Sequence, residues 1–151
     1  MVLKQLDLFQ GFTDEHLTKV QGVAQPVKFA AGDIIFQIGD ASGEFFILKN
    51  GRVQVEIPLP EDENVISILS PVTIFGEVGL LEQKERSATV TAQEECDALK
   101  IENEDFLILL NDNPDMAARF YYALSRILYN RMTKTTEELA FYKLALSFQG
   151  H

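Results

Sequence analysis

The sequence predicts a mainly β domain with flanking helices: an antiparallel barrel or jelly roll, led by an N-terminal helix and followed by long C-terminal helices. Three observations carry this expectation. Between Val27 and Val90 the apolar runs are short, rich in Val, Ile and Phe, and cut by glycine-containing turns. Beyond Asn103 the apolar residues recur at threes and fours. No strand alternates with a long helix, as a doubly wound sheet requires.

The lead reads Leu6-Asp7-Leu8-Phe9-Gln10-Gly11-Phe12. Thr13 then caps a short helix from Asp14 to about Val20. Asp14 and Glu15 sit in its first turn, where the helix dipole favours acidic groups, and Leu17 and Val20 face inward. Gly22 and Pro26 bracket its exit. The expected strands are Val27–Phe29, Ile34–Phe36, Phe45–Lys49, Arg52–Ile57, Asn64–Leu69 and Ser87–Val90, with another from Asp97 to Ile101. Asn50-Gly51 reads as a hairpin turn, because both residues tolerate positive φ. Val53-Gln54-Val55-Glu56-Ile57 alternates as a half-buried strand does.

Asn103 is expected to cap a helix through Leu110, which Asn111-Asp112-Asn113 breaks. Pro114 suits the first position of the next helix. That helix runs to about Lys134, with Met116, Phe120, Leu124, Ile127, Leu128 and Met132 on its apolar side. Its apolar coverage is wide enough to meet a second copy of itself, so a homodimer through this helix is expected. Thr135-Thr136-Glu137-Glu138 can restart a terminal helix from Glu137 to Phe148, and the sequence leaves open whether the two C-terminal helices are continuous. The whole reads as a single domain, 1–151, with its β-roll over about 27–101 and its C-terminal helices over about 103–148.

Composition narrows the function. A chain of 151 residues, 46% apolar, holds one domain with a real core. No apolar run approaches the roughly 18 residues of a membrane span, and the N-terminus lacks an export pattern. A cytoplasmic location without a membrane partner is expected. Cys96 is the only cysteine, which excludes an internal disulfide and a Cys-based metal cluster. Its neighbours Glu95 and Asp97 oppose a thiolate, so it reads as structural. The formal charge is -10, and residues 1–113 alone carry 8 Lys/Arg against 20 Asp/Glu. Such a body disfavours nonspecific contact with nucleic acid. The acidic stretches at 61–63 and 94–97 read as solvated turns. His16 and His151 lie far apart, and no catalytic or metal-ligating set is formed, so neither enzymatic activity nor a cofactor is expected.

The run from Phe75 to Val90 carries the chemistry. Gly76 and Gly79 let the backbone turn tightly and approach a ligand. Residues Glu77 to Leu81 suit one helical turn. Arg86 supplies a planar cation that grips a phosphate through two hydrogen bonds. Ser87 adds a neutral donor. Glu77, when ionised, only accepts, and so suits a ligand hydroxyl. A second reading makes Arg86 a loop staple, paired with Glu77 or Glu85.

The run resembles the phosphate-binding cassette of the cyclic nucleotide-binding domains, which include the bacterial catabolite activators and the regulatory subunits of cyclic-AMP-dependent protein kinase. Phe75-Gly76-Glu77, Gly79-Leu80 and Arg86-Ser87-Ala88-Thr89-Val90 all fall where the motif has them. Ala31 to Asp40 and Phe45 to Val53 are similar to the family's early strands, and Pro114 to Phe141 to its long helix. The resemblance implies a jelly roll (double-stranded β-helix) that senses a cyclic nucleotide, cyclic AMP rather than cyclic GMP on family frequency. It implies Arg86 on the cyclic phosphate, Glu77 on the ribose 2′-hydroxyl, Gly76, Val78 and Gly79 as backbone contacts, and Ser87 assisting. It places positions near Arg131, Met132 and Thr133 by the base. The family's transcription factors add a helix-turn-helix, for which the 17 residues beyond Lys134 are too few, so direct DNA binding by this chain is not expected. The alternative is a scaffold of the same fold that binds no nucleotide, drawing on the charged loop 82–85 and the apolar helix face.

Overall fold

The computed structural model describes residues 2–60, 64–80 and 84–149. The expected acidic turn at 61–63, Glu82 and Gln83 of the charged loop, and the terminal Gly150 and His151 lie outside these residues. Two 3-10 turns, Val2–Gln5 and Asp7–Phe9, lead into helix α1 (Asp14–Val23). Thr13 caps α1 as expected: its hydroxyl accepts from the His16 backbone N–H at 3.2 Å. His16 closes the box by accepting the Thr13 N–H on Nδ1 at 3.1 Å. A histidine thus does what Glu or Gln usually does at that position. Gly22 lies inside the last turn of α1 rather than at its exit.

Eight strands follow: β1 (Ala24–Phe29), β2 (Ile34–Phe36), β3 (Glu44–Asn50), β4 (Val53–Pro58), β5 (Asn64–Leu69), β6 (Thr73–Phe75), β7 (Thr89–Ala92) and β8 (Cys96–Glu102). They form two antiparallel four-stranded sheets, ordered β1-β8-β3-β6 and β2-β7-β4-β5. β1 starts three residues earlier than expected and contains Pro26. It is an edge strand, where a residue without an N–H is tolerated.

The turn at Asn50-Gly51 does need positive φ, with Gly51 at 89°, but it is not a hairpin. β3 and β4 belong to different sheets, so the turn carries the chain across. Gly51 passes so close to the next loop that a Cβ there would stand 2.7 Å from Cys96 Sγ. The true hairpin is β4–β5, paired from Val53↔Leu69 to Pro58↔Asn64.

β3 is buried on both faces, which explains its unbroken run Phe45-Phe46-Ile47-Leu48. Phe45 and Ile47 pack with the helices, against Phe9, Leu17, Phe106 and Phe120. Phe46 and Leu48 face the other sheet and join Phe36, Val53, Phe75 and Val90. Phe46 stacks on Phe75 with centroids 5.1 Å apart.

Helix α2 spans Asn103–Asp112 and α3 Pro114–Gln149. Asn103 is not the cap expected of it. Glu102 holds that position without a side-chain bond, while the buried Asn103 donates its backbone N–H to Gly43 O (2.9 Å) and its amide to Ser42 O (3.3 Å). The residue ties down a distant loop instead of its own helix end. The continuity that the sequence left open is present, and α3 is one helix of 36 residues through Thr135-Thr136. Both threonine hydroxyls turn back to carbonyls one turn earlier, Arg131 O and Met132 O, at 2.9 Å, so they sit within a helix without breaking it. None of the described helices is long and apolar enough to cross a membrane.

Candidate functional site

The segment singled out in the sequence joins β6 to β7. Gly76 follows β6 with φ of 80°, a left-handed conformation that suits glycine. A Cβ there would also stand 2.8 Å from Arg86 Nη1. Residues Glu77–Leu80 then form the expected turn, of 3-10 type. Gly79 is buried against the loop after β2, and a Cβ at Gly79 would collide with Ser42 Oγ.

Arg86 is 5% exposed. Two backbone bonds fix its place in the loop before β7: its N–H donates to Asp40 O at 2.8 Å, and its carbonyl accepts from Gly39 N at 2.9 Å. Its guanidinium donates from Nη1 to Gly76 O at 3.0 Å and from Nη2 to Glu44 O at 2.6 Å. The plane lies over Phe36, 4.0 Å from the ring centroid. Among the described residues, the carboxylate paired with it is that of Glu44, 3.6 Å from Nη2. Neither Glu77 nor Glu85, the staple partners that the sequence suggested, holds that place. Nε is buried and has no hydrogen-bond partner among the described residues. Burial pulls the guanidinium below its ordinary pKa, while Glu44, Asp40 and Glu77 act the other way. A planar cation, desolvated, with only two of its five N–H donors in hydrogen bonds to the described residues and its Nε in none, is unfinished chemistry.

A cavity of about 460 Å³ opens beside it. Gly76, Glu77, Gly79, Arg86 and Ser87 all line it, as does Arg131 from α3. Five of the six sequence-nominated residues therefore meet in one space, and the sixth, Val78, lies within the same turn. Of the three positions nominated near the base, Arg131 lines the cavity, whereas Met132 is 64% exposed. Burial pushes the Glu77 carboxyl above its ordinary pKa, against its own backbone hydrogen bond and the charges of Arg131 and Arg86. A second cavity of about 430 Å³ adjoins the first beneath α3 and shares Thr73, Ile74, Glu77 and Arg131 with it.

Glu44, Phe36 and Ser42 were not nominated from sequence. They come from β3, β2 and the loop between them, more than forty residues from Arg86, and no local pattern marks them. Cys96 is buried, donates to the carbonyls of Arg52 and Glu94, and burial raises its thiol pKa, in keeping with a structural part.

A two-sheet β domain with one desolvated guanidinium in a glycine-framed cavity, roofed by a long helix, defines a class of ligand-receiving regulatory domains. The chain belongs to the cyclic nucleotide-binding domain family, whose model matches residues 26–113. The CRP-like cAMP-activated global transcriptional regulator of Mycobacterium tuberculosis is 25% identical over 92% of this chain, and the cyclic AMP receptor protein of Thermus thermophilus 29% identical over 91%. This chain spans 61% and 62% of the lengths of those two relatives. Among solved structures, the N-terminal domain of a transcriptional regulator from Streptomyces coelicolor superposes with a TM-score of 0.79 at 26% identity, covering 87% of this chain and 94% of that one. The Thermus thermophilus catabolite activator protein gives 0.77 at 27% identity, covering 91% and 63%.

Proposed function

We propose that this chain is one sensor domain, a jelly roll that binds a cyclic nucleotide in the cavity beside Arg86 and passes the bound state to α3. The single observation that carries the reading is the buried Arg86 guanidinium, with its Nε unpartnered among the described residues, in the lining of a cavity that glycines frame. A cyclic phosphate supplies a closer, two-point anion than the Glu44 carboxylate at 3.6 Å. Glu77 accepts from the ribose 2′-hydroxyl, the backbone of Gly76, Val78 and Gly79 lines the sugar phosphate, and Ser87 assists. Cyclic AMP is the first candidate, on the strength of the two named relatives. Arg131, which lines the same cavity from α3, is the link from ligand to helix.

The output is a second copy of the chain. Residues 134–147 of α3 are all exposed. Along the helix Tyr121, Leu128, Met132, Leu139, Tyr142 and Leu146 are each between 45% and 64% exposed. With Ser125 and Thr135 between them they step by four and three without interruption, the repeat of a coiled-coil seam. A charge of -10 argues against nucleic acid as the direct partner.

Titration calorimetry with cyclic AMP and cyclic GMP tests the reading. The expected result is saturable binding that Arg86→Ala weakens at least a hundredfold, since charge-assisted bonds contribute about 1.5–3 kcal/mol each. No heat and no thermal shift with either nucleotide at millimolar concentration overturns it. The scaffold alternative draws on the two carbonyls and the Glu44 carboxylate that already hold Arg86. It predicts a dimer whose association constant ignores nucleotide.

A further inference from the structure

We propose that the cavity beneath α3 is a second binding site, built for a neutral medium-chain amphiphile with an amide-like head. Its volume of about 430 Å³ lies in the range of roughly 300–1,000 Å³ that small-molecule sites occupy. The walls are apolar. Leu6 and Leu8 come from the N-terminal lead, Ile74 from β6, and Phe120, Leu124 and Ile127 from α3. Leu6, Leu8 and Phe120 are each no more than 5% exposed. A metal ion or a polyanion finds no shell of ligands there, whereas an acyl chain buries its methylenes at about 0.8 kcal/mol apiece.

The polar groups are few and specific. Glu77 and Arg131 stand at the boundary with the lower cavity, which they also line. Arg131 only donates hydrogen bonds, and ionised Glu77 only accepts. A head that carries a carbonyl beside an N–H answers both, and a primary amide is the simplest such head. A charged head answers only one of the two: a carboxylate pairs with Arg131 but meets Glu77, and an ammonium pairs with Glu77 but meets Arg131. The remaining polar members are Thr73 from β6 and the exposed Gln5 and Asp7 of the N-terminal lead, and Asp7 already accepts from Gln10 Nε2 at 3.2 Å.

The site is distinct in kind from the lower cavity, whose private members include Arg86, Ser87 and Lys84. The probe is octanamide, titrated into the whole chain and followed both by calorimetry and by methyl NMR of the leucines and isoleucines. Saturable binding is expected, with the Ile74, Leu124 and Ile127 methyl signals moving and those of Leu48, in the inter-sheet core, staying still. Leu124→Trp, which fills the space, is expected to weaken binding at least tenfold, and Ile127→Trp serves if the first variant loses its circular dichroism. Arg131→Met is expected to weaken it about threefold to tenfold, the effect of one hydrogen bond. Octanoate is expected to bind at least tenfold more weakly than octanamide. Absence of saturable binding, or saturation without movement of the Leu124 and Ile127 methyls, overturns the site. Octanoate matching octanamide overturns the neutral head. No nucleotide enters these titrations, so their outcome is independent of what binds at Arg86.

Discussion

Arg86 holds a charge where burial disfavours it, and two carbonyls with one carboxylate at 3.6 Å compensate only in part. Its planar shape matters as much as its charge, because the group lies flat on Phe36 while donating in two directions. Arg86→Lys therefore keeps the charge and loses the fork, and cyclic nucleotide affinity is expected to fall at least tenfold by calorimetry, a loss of about 1.4 kcal/mol. Glu77 makes a prediction without ligand. Its carboxyl keeps a proton to higher pH in the folded chain than in the unfolded one, where it titrates near 4.5. Above that value the folded state binds more protons, so stability falls as pH rises until the folded pKa is passed. Glu77→Gln removes this fall. The ligand-free variant is expected to melt above wild type near neutral pH and level with it at about pH 4, and a variant that melts lower at neutral pH refutes the sign. Gly79 is constrained by Ser42, whose Cβ also stands 2.8 Å from the position of a Cβ at Gly79. Gly79→Ala is expected to cost about 1–3 kcal/mol in urea unfolding, the scale of core overpacking, and Ser42→Gly to restore most of it in the double variant. The cassette was legible because its parts lie within a dozen residues of one another. Ser42, Glu44 and Phe36 were not, since only the fold brings them to Arg86 and Gly79.

Elements repeat this division between local and distant causes. α1 was legible from Thr13, because a cap and its partner lie within one turn. β6 was missed, as three residues between Pro71 and Gly76 give a period-2 pattern too little room. The hairpin reading of Asn50-Gly51 recognised the conformation rightly and the partner wrongly, because positive φ fixes how the chain turns and not which strand it pairs with next. For α3 the sequence did not decide whether the chain breaks at two threonines, because their hydroxyls can bond within a helix, as they do here. The continuity has a consequence. A helix of 36 residues extends about 54 Å, and its exposed seam runs past the body of the domain. Leu139→Lys places a charge in the middle of that seam, beyond every cavity and core contact. The variant is expected to sediment as a monomer at micromolar concentrations where wild type sediments as a dimer, with an unchanged melting profile for the β sheets. Wild type sedimenting as a monomer throughout that range removes the seam from the account.

At the scale of the molecule, two cavities of similar size share one wall. Thr73, Ile74, Glu77 and Arg131 line both, and Arg131 belongs to the helix that covers one and reaches the other. A nucleotide in the lower cavity is proposed to take Glu77 for a ribose hydroxyl, and an amphiphile in the upper one to take the same carboxylate for its head. Glu77 and Arg131 cannot serve both ligands in full, so the two are expected to oppose each other. Linkage then sets a strict condition: the factor by which nucleotide weakens amphiphile equals the factor by which amphiphile weakens nucleotide. A coupling of about 1 kcal/mol, the low end of the usual range, makes each factor about fivefold. Titrating octanamide with and without saturating cyclic AMP, then cyclic AMP with and without saturating octanamide, measures both. Equal factors of fivefold or more are expected for wild type. Arg131→Met is expected to bring both toward one, because the shared side chain is gone while the apolar stem length is kept. Two ligands that bind with no mutual effect leave Glu77 and Arg131 as bystanders at the boundary. In that case α3 takes its signal from the lower cavity by another contact.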